Sequence, residues 1–132
     1  GMRDSKIINN TVIDEIPGNE TIPWIYITDH KNGTHSDNCI AANNIASSHV
    51  SGKGNSVNFF NNLIIGRDNH SLIYEYFIDP DQFDFHLLDN DSTRENIIDQ
   101  GKLFASMLSS EIDLDGNDRK GNPDIGAFEL ID

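Results

Sequence analysis

Short apolar runs interrupted by a pair of asparagines recur along this chain. The clearest example is residues 57–66, V-N-F-F-N-N-L-I-I-G, and residues 7–13 (I-I-N-N-T-V-I) and 40–46 (I-A-A-N-N-I-A) share its pattern. Runs of three or four apolar residues, bounded by Asn and Gly, predict buried strands because they are too short for a helix. Repetition of one strand–turn–strand unit predicts stacked coils, each burying its apolar face against its neighbours.

The asparagine pair suits the bend between two such strands. Asn adopts left-handed backbone angles more readily than other non-glycine residues. A buried amide without partners costs about 1–3 kcal/mol, whereas coils stacked ~4.8 Å apart let each amide bond to the next. A single Asn-Asn pair would be interpreted as part of a solvated loop. Three pairs, each flanked by apolar runs, favour a ladder of hydrogen-bonded side-chain amides between coils. We therefore assign a structural role between coils to Asn10, Asn44 and Asn62.

The spacing of the pairs indicates the size of a coil. Asn43 and Asn61 lie 18 positions apart, which suits a minimal coil. Asn9 and Asn43 lie 34 apart, which indicates either one coil with a long outward loop or two very short coils. We favour the single coil, because Tyr26-Ile27 does not reproduce the asparagine pair.

Other segments predict the remaining elements. Apolar or alternating runs predict strands at residues 23–28, 72–78, 83–88 and 125–130. The capping-box sequence Ser92-Thr93-Arg94-Glu95 predicts a short helical turn. Polar residues predict loops at 29–38 and 49–55.

Composition narrows the classes of function. The 132 residues predict a single domain, and a hydrophobic content of 36% is low for a compact globule but compatible with coils rich in turns. The net charge of −13 argues against binding nucleic acid or an anionic membrane through a basic surface. No apolar stretch reaches membrane-spanning length, and none at the N-terminus resembles a signal peptide. Cys39 is the single cysteine, and its apolar surroundings favour a buried thiol over a nucleophile.

Several segments of the C-terminal half carry a resemblance to a known family. They are F-I-D-P (77–80), D-F-H-L (84–87), Ser92, I-D-Q-G (98–101), D-L-D-G-N-D-R (113–119) and D-I-G-A-F-E (124–129). Together they resemble the closing region of the pectate-lyase-like β-helices, which include polysaccharide lyases and many uncharacterised surface or secreted bacterial proteins.

The resemblance implies a fold and a setting. The implied fold is mainly β, a right-handed parallel β-helix of a few coils plus a C-terminal capping segment. We expect a single domain over residues 1–132, with coils in 1–76 and the last coil and cap in 77–132. Because a repeat unit already begins at Lys6, we expect the chain to be part of a longer coil. The implied location is extracellular or on a bacterial cell surface, and the implied partner is a polysaccharide.

Two sets of side chains are candidates for chemistry. Aromatic and basic residues that could face a glycan are Trp24, Tyr26, Lys53, Arg67 and His70, although core packing or solvated loops would also explain them. Possible calcium ligands at EF-like positions 1, 3, 5 and 12 are Asp113, Asp115, Asn117 and Asp124, although Asp118 stands where such a loop has glycine.

The segment 113–119 also has a purely structural reading. Gly116 would take the tight turn, and the five donors of Arg119 would tie Asp113 or Asp115 to nearby carbonyls. This reading assigns structural roles to Asp115, Gly116 and Arg119. It competes directly with the calcium site, because both use the same carboxylates.

Three functions remain open at this point. The first is the terminal part of a secreted carbohydrate-active protein, structural and glycan-binding. The second is a non-catalytic structural or adhesive surface module, and the third is a self-sufficient lyase, which would need a base and a group that neutralises the uronate carboxylate. Exposed strand edges at the ends of the coils would also favour self-association.

Overall fold

The computed structural model describes residues 1–14, 24–103 and 110–131. Within these residues the chain is mainly β, with three parallel sheets and one antiparallel pair of strands. The strands are β1 (Lys6–Ile8), β2 (Thr11–Val12), β3 (Ile25–Ile27), β4 (Asp37–Ala42), β5 (Ile45–Ala46), β6 (Val50–Gly52), β7 (Asn55–Phe60), β8 (Leu63–Ile64), β9 (Phe77–Asp79) and β10 (Asp84–Leu87). The helices are α1 (Ile73–Tyr76) and α2 (Asp91–Asn96), with 3-10 turns at His70–Leu72 and Pro80–Gln82.

The first eight strands form three stacked coils. Coil 1 contains β1, β2 and β3, coil 2 contains β4, β5 and β6, and coil 3 contains β7 and β8. Corresponding strands pair in parallel, in the orders β1-β4-β7, β2-β5-β8 and β3-β6. Ile7 lies beside Ala41, which lies beside Phe59, so the steps are 34 and 18 residues. The 34-residue step is therefore one coil, the alternative that we favoured over two very short coils, and the stacking is compatible with a parallel β-helix.

The two asparagines of each pair have different tasks. The first one, at Asn9, Asn43 or Asn61, takes the left-handed conformation, with φ of 52°, 54° and 49°. This geometry turns the chain between the strands on either side, as expected for Asn. The same conformation recurs at Asp4, Asn38 and Ser56, which stand at the same 34- and 18-residue steps but share no residue type.

The second asparagine of each pair forms the predicted amide ladder. The Nδ2 atom of Asn10 donates to Oδ1 of Asn44 at 2.9 Å, and Nδ2 of Asn44 donates to Oδ1 of Asn62 at 2.8 Å. The backbone N–H groups of Asn10 and Asn44 donate to the same two oxygen atoms, at 2.9 and 3.1 Å. Asn44 is fully buried, and these bonds supply the hydrogen-bond partners that its buried amide requires.

Apolar side chains form two separate clusters. One lies inside the coils and contains Ile25, Ile27, Cys39 and Ala41. Cys39 is fully buried there as a free thiol, as predicted. The other joins Ile45 of the β2-β5-β8 sheet to residues that follow coil 3, including Ile73, Phe77, Ile97 and Ile125. The chain after Gly66 therefore packs against this sheet from the side opposite the first cluster.

Three local predictions are wrong. The run 72–78 is not one strand: Ile73 and Tyr76, three residues apart, are both buried on one face of α1, and only the end of the run pairs as β9. The run 125–130 forms no strand, because its backbone N–H groups do not bond to one neighbouring strand. The N–H of Gly126 donates to the carbonyl of Asn43, for example, whereas the N–H of Leu130 donates to the carboxylate of Asp124. The predicted loop 49–55 contains β6, which pairs with β3.

Two other predictions are confirmed with changed boundaries. β10 occupies Asp84–Leu87 within the predicted strand 83–88. The predicted helical turn at Ser92 is α2, but its cap is Asn90, whose side-chain oxygen accepts from the N–H of Thr93 at 2.9 Å. In the part of the chain that the structure describes, no helix combines the length and apolar character required to cross a membrane.

Candidate functional site

The outer face of the β3–β6 sheet carries two exposed aromatic side chains. Along β3, Ile25 and Ile27 point into the coil and are buried, so Tyr26 points outward and is 50% exposed. Trp24 directly precedes β3, two positions before Tyr26, and is 38% exposed. Both exposed side chains therefore lie at β3 or its N-terminal flank, and we call the surface around them the aromatic face.

Residues of β6 and its flanks border the aromatic face. The carbonyl of His49 accepts from the N–H of Trp24 at 2.9 Å, and Ser51 pairs with Tyr26. Lys53 follows β6 directly, and its N–H donates to the carbonyl of Ile27 at 2.8 Å. Three of the five residues predicted to face a glycan, Trp24, Tyr26 and Lys53, therefore lie in or directly beside the paired strands β3 and β6.

A carboxylate lies beside this surface. Asp29 Oδ2 lies 2.9 Å from His35 Nδ1, and its Oδ1 accepts from the N–H of Ser36 at 2.9 Å. The bond from His35 contributes most to lowering the pKa of Asp29, followed by the Ser36 bond, and the charge of Lys53 adds a smaller effect. The carboxylate of Asp29 therefore stays ionised at neutral pH, near the ammonium group of Lys53.

Arg67 and His70 lie elsewhere. Both follow β8, on the segment that leads from coil 3 into α1. The Nε2 atom of His70 lies 2.8 Å from the carbonyl oxygen of Asp14, and the half-buried ring lines a cavity of about 220 Å³ with Tyr74 and Phe85. The structure therefore does not bring Arg67 or His70 to the aromatic face.

The calcium candidates are engaged by protein donors. The carboxylate of Asp113 accepts from the N–H groups of Asp115, Asn117 and Glu129 and from Nδ2 of Asn117. Burial acts to raise the pKa of Asp113, but these four bonds outweigh it and hold that pKa below its usual value. Asp113 therefore acts as the internal anchor of its own loop.

The other carboxylates of that set point to different partners. Asp124 is 2% exposed and accepts from the N–H groups of Asp99 and Leu130, each at 2.7 Å, while Asp115 binds His86. Across residues 1–14, 24–103 and 110–131, no group of three or more His, Cys, Asp or Glu side chains is arranged to hold a metal ion. Calcium binding stays a prediction.

Arg119 holds the C-terminal segment together, as its five donors suggested. It donates to the carbonyls of Asp124 and Gly126 at 3.1 and 2.9 Å. Its carboxylate partner is Glu129, at 2.8 Å, and not Asp113 or Asp115. The predicted carboxylate partner was wrong because the chain reverses direction after Gly126 and brings Glu129 to Arg119. Gly116 takes the tight turn with φ +86°, as predicted.

Sequence reasoning missed a histidine held between two carboxylates. The Nδ1 atom of His86 bonds to Asp84, its Nε2 atom lies 2.7 Å from Oδ2 of Asp115, and its ring lies 4.2 Å from that of Phe128. The bond to Asp84, and then the one to Asp115, raise the pKa of His86. The sequence Asp84-x-His86 on a predicted strand indicated the first partner, Asp84. No pattern in the sequence indicated the second partner, Asp115.

Sequence reasoning also missed what the first asparagine of each pair binds. The Nδ2 atoms of Asn9, Asn43 and Asn61 donate to backbone carbonyls of the C-terminal segment, those of Asp124, Lys102 and Gln100, at 3.2, 3.1 and 2.8 Å. These three side chains fasten the segment after coil 3 across all three coils.

Comparison with protein-family models, with curated proteins and with solved structures finds no match to this chain.

Proposed function

We propose that this chain is the right-handed parallel β-helix part of a bacterial extracellular or cell-surface protein of the pectate-lyase-like group, and that it binds a glycan on the aromatic face. The observation that supports binding is the exposure of Tyr26 on β3 together with that of Trp24, which directly precedes the strand. Exposed aromatic groups that share a surface mark interaction sites more often than isolated ones do.

The chemistry of this surface suits a sugar. Flat aromatic rings offer apolar area at a low entropic cost, and the neighbouring serine, lysine and aspartate groups supply hydrogen bonds that orient a ligand. Lys53 would pair with a uronate carboxylate, whereas the net charge of −13 repels a long polyanion. A neutral glycan, or one with few uronates, therefore fits the aromatic face best.

Glycan-array screening followed by calorimetry tests the proposal. We expect the unmodified chain to bind at least one oligosaccharide, and Trp24→Ala and Tyr26→Ala each to weaken binding about 10-fold or more, as loss of one stacked aromatic group implies. Tyr74→Ala is the matched control, because Tyr74 is 53% exposed but lies on α1, away from β3. A chain that binds no glycan, or a control that loses as much affinity, would contradict glycan binding.

The alternative is a non-catalytic structural or adhesive surface module. This alternative is favoured because Asp113, Asp124 and Arg119 all make internal hydrogen bonds. These bonds give the C-terminal segment a structural role. Failure of every glycan to bind would favour this alternative. Incubation with alginate, pectate and chondroitin, followed by ultraviolet detection of unsaturated uronate products, separates both from a lyase, which would release such products.

A further inference from the structure

Among the described residues, apolar side chains of the stack's interior are partly exposed at coil 1 and at coil 3. Along the inward-facing row Val12, Ala46 and Ile64, the middle residue is fully buried, but Ile64 of coil 3 is 39% exposed and Val12 of coil 1 is half-buried. In the next row, Ala41 is fully buried between two partly exposed neighbours on β1 and β7. The same apolar interior therefore reaches solvent at coil 1 and at coil 3.

The amide ladder has a direction. Asn10 gives its backbone N–H and its Nδ2 to the side-chain oxygen of Asn44, and Asn44 gives the same two groups to Asn62. Continued by one step, the pattern would have Asn62 donate both groups to a further amide oxygen. At the other end, it would have the side-chain oxygen of Asn10 receive them. The end at coil 3 thus presents donors, and the end at coil 1 presents an acceptor.

We propose that a second copy of this 132-residue chain docks head to tail, with its coil 1 on the coil 3 of the first copy, in the place that a further coil of the same chain would take. This arrangement places the Asn62 donors against the Asn10 acceptor and continues both the parallel sheets and the apolar interior. Docking of two like ends would place donor against donor or acceptor against acceptor. The contact is heterologous and leaves a free end on each new copy, so the product is an open filament.

The register inside the chain predicts which residues meet between copies. Lys6, Ile40 and Asn58 are aligned on β1, β4 and β7. One further step places Asn58 of the first copy beside Lys6 of the second. Neighbouring parallel strands lie ~4.8 Å apart, within the Cα separation that a disulfide spans.

Cysteine cross-linking tests this register. We expect Lys6→Cys/Asn58→Cys to form a ladder of covalent multimers on oxidation, while each single variant stays at the mass of one chain, with Cys39 buried throughout. Efficient dimers of the single Asn58→Cys variant would show like-end docking and overturn the proposal. If circular dichroism shows that the double variant does not fold, Arg3→Cys/Asn55→Cys probes the same contact, because both residues align with Asp37.

Sedimentation of the unmodified chain provides the decisive measurement. We expect its mean mass to rise above 14.8 kDa with concentration, and more steeply at high salt, because a net charge of −13 repels a second copy. Val12→Asp and Ile64→Asp each block one end, so each alone should stay monomeric while their mixture forms a dimer. An unmodified chain that sediments at 14.8 kDa at every concentration and salt overturns the proposal.

Discussion

Replacement of Asn44 tests how far the amide ladder stabilises the fold. Asn44 is fully buried in the middle coil, and its side chain makes four hydrogen bonds. Two are accepted from Asn10, and two are donated, to Asn62 and to the carbonyl of Ile7. Asn44→Ala removes all four and leaves donors and acceptors of both neighbouring coils without their partner.

The expected loss follows from these four bonds. A typical intramolecular hydrogen bond contributes about 0.5–1.5 kcal/mol, so the variant should lose about 4 kcal/mol of unfolding free energy. A domain is stable by only about 5–15 kcal/mol in total, so this loss would leave it close to unfolding. Few other single side chains in the coils should cost as much.

Urea unfolding followed by circular dichroism measures the loss. The control is Asn58→Ala, because Asn58 is exposed on β7 and donates one bond of 3.3 Å to Ser56 O. We expect the control to change the unfolding free energy by less than about 0.5 kcal/mol. Asn44→Ala within that same range of the unmodified chain would refute the role of the ladder.

Asn44→Asp separates the loss of bonds from the loss of volume. Aspartate keeps the shape and the acceptor, but its second oxygen would face the carbonyl of Ile7 and the amide oxygen of Asn62. Burial and these acceptors favour the protonated acid, which restores a donor. The stability gap to the unmodified chain should therefore narrow as the pH falls, and a gap that widens would contradict this account.

Three further changes probe the C-terminal segment. Arg119→Ala leaves Glu129 buried without its partner and should cost about 3–5 kcal/mol in urea unfolding. Gly126→Ala places a Cβ 2.7 Å from Cδ1 of Ile45 at φ +96°, so we expect a loss of more than about 1 kcal/mol in the same assay. His86→Gln should lower the melting temperature most below pH ~6.5, because a raised histidine pKa adds stability there that is lost as the pH rises through it.

Matched variants check each of these expectations. Arg94→Ala breaks an exposed ion pair with Asp89 and should cost less than about 1 kcal/mol, so a loss equal to that of Arg119→Ala would contradict the effect of burial. Gly116→Ala has a similar φ, +86°, but its Cβ would meet open space, so it should cost less than Gly126→Ala. A melting-temperature gap for His86→Gln that is constant between pH 5 and pH ~9 would show that the histidine charge is irrelevant.

The stacked coils were predictable because one residue type repeats where the chain bends. The spacing of Asn9, Asn43 and Asn61 alone gave the steps of 34 and 18 residues that the strand register confirms. The second row of bends, at Asp4, Asn38 and Ser56, has the same steps but was invisible, because a left-handed backbone at those sites accepts three different residues. The backbone conformation therefore repeats at more positions of the coil than the amino-acid sequence does.

Two other features, the strand β6 and the carboxylate partner of Arg119, were less predictable because no local sequence pattern indicates them. β6 was missed because Val50-Ser51-Gly52 is too polar to announce a strand, and it pairs only because β3 lies beside it. Arg119 was correctly expected to bind carbonyls, but its partner Glu129 depends on a reversal of the chain near Gly126 that no local pattern indicates. The sequence offered Trp24 and Tyr26 as candidates for a glycan-facing surface beside a core-packing alternative, and the structure leaves both side chains exposed.

Fastening of the first coil by the C-terminal segment has a consequence for the order of folding. Asn9 bonds to Asp124 across 115 positions and to Ser110 across 101. Contacts of such separation form slowly, because a long loop must close before they contribute. During synthesis, coil 1 therefore lacks these two bonds until more than a hundred further residues have been made, and it is open to misassembly in that interval.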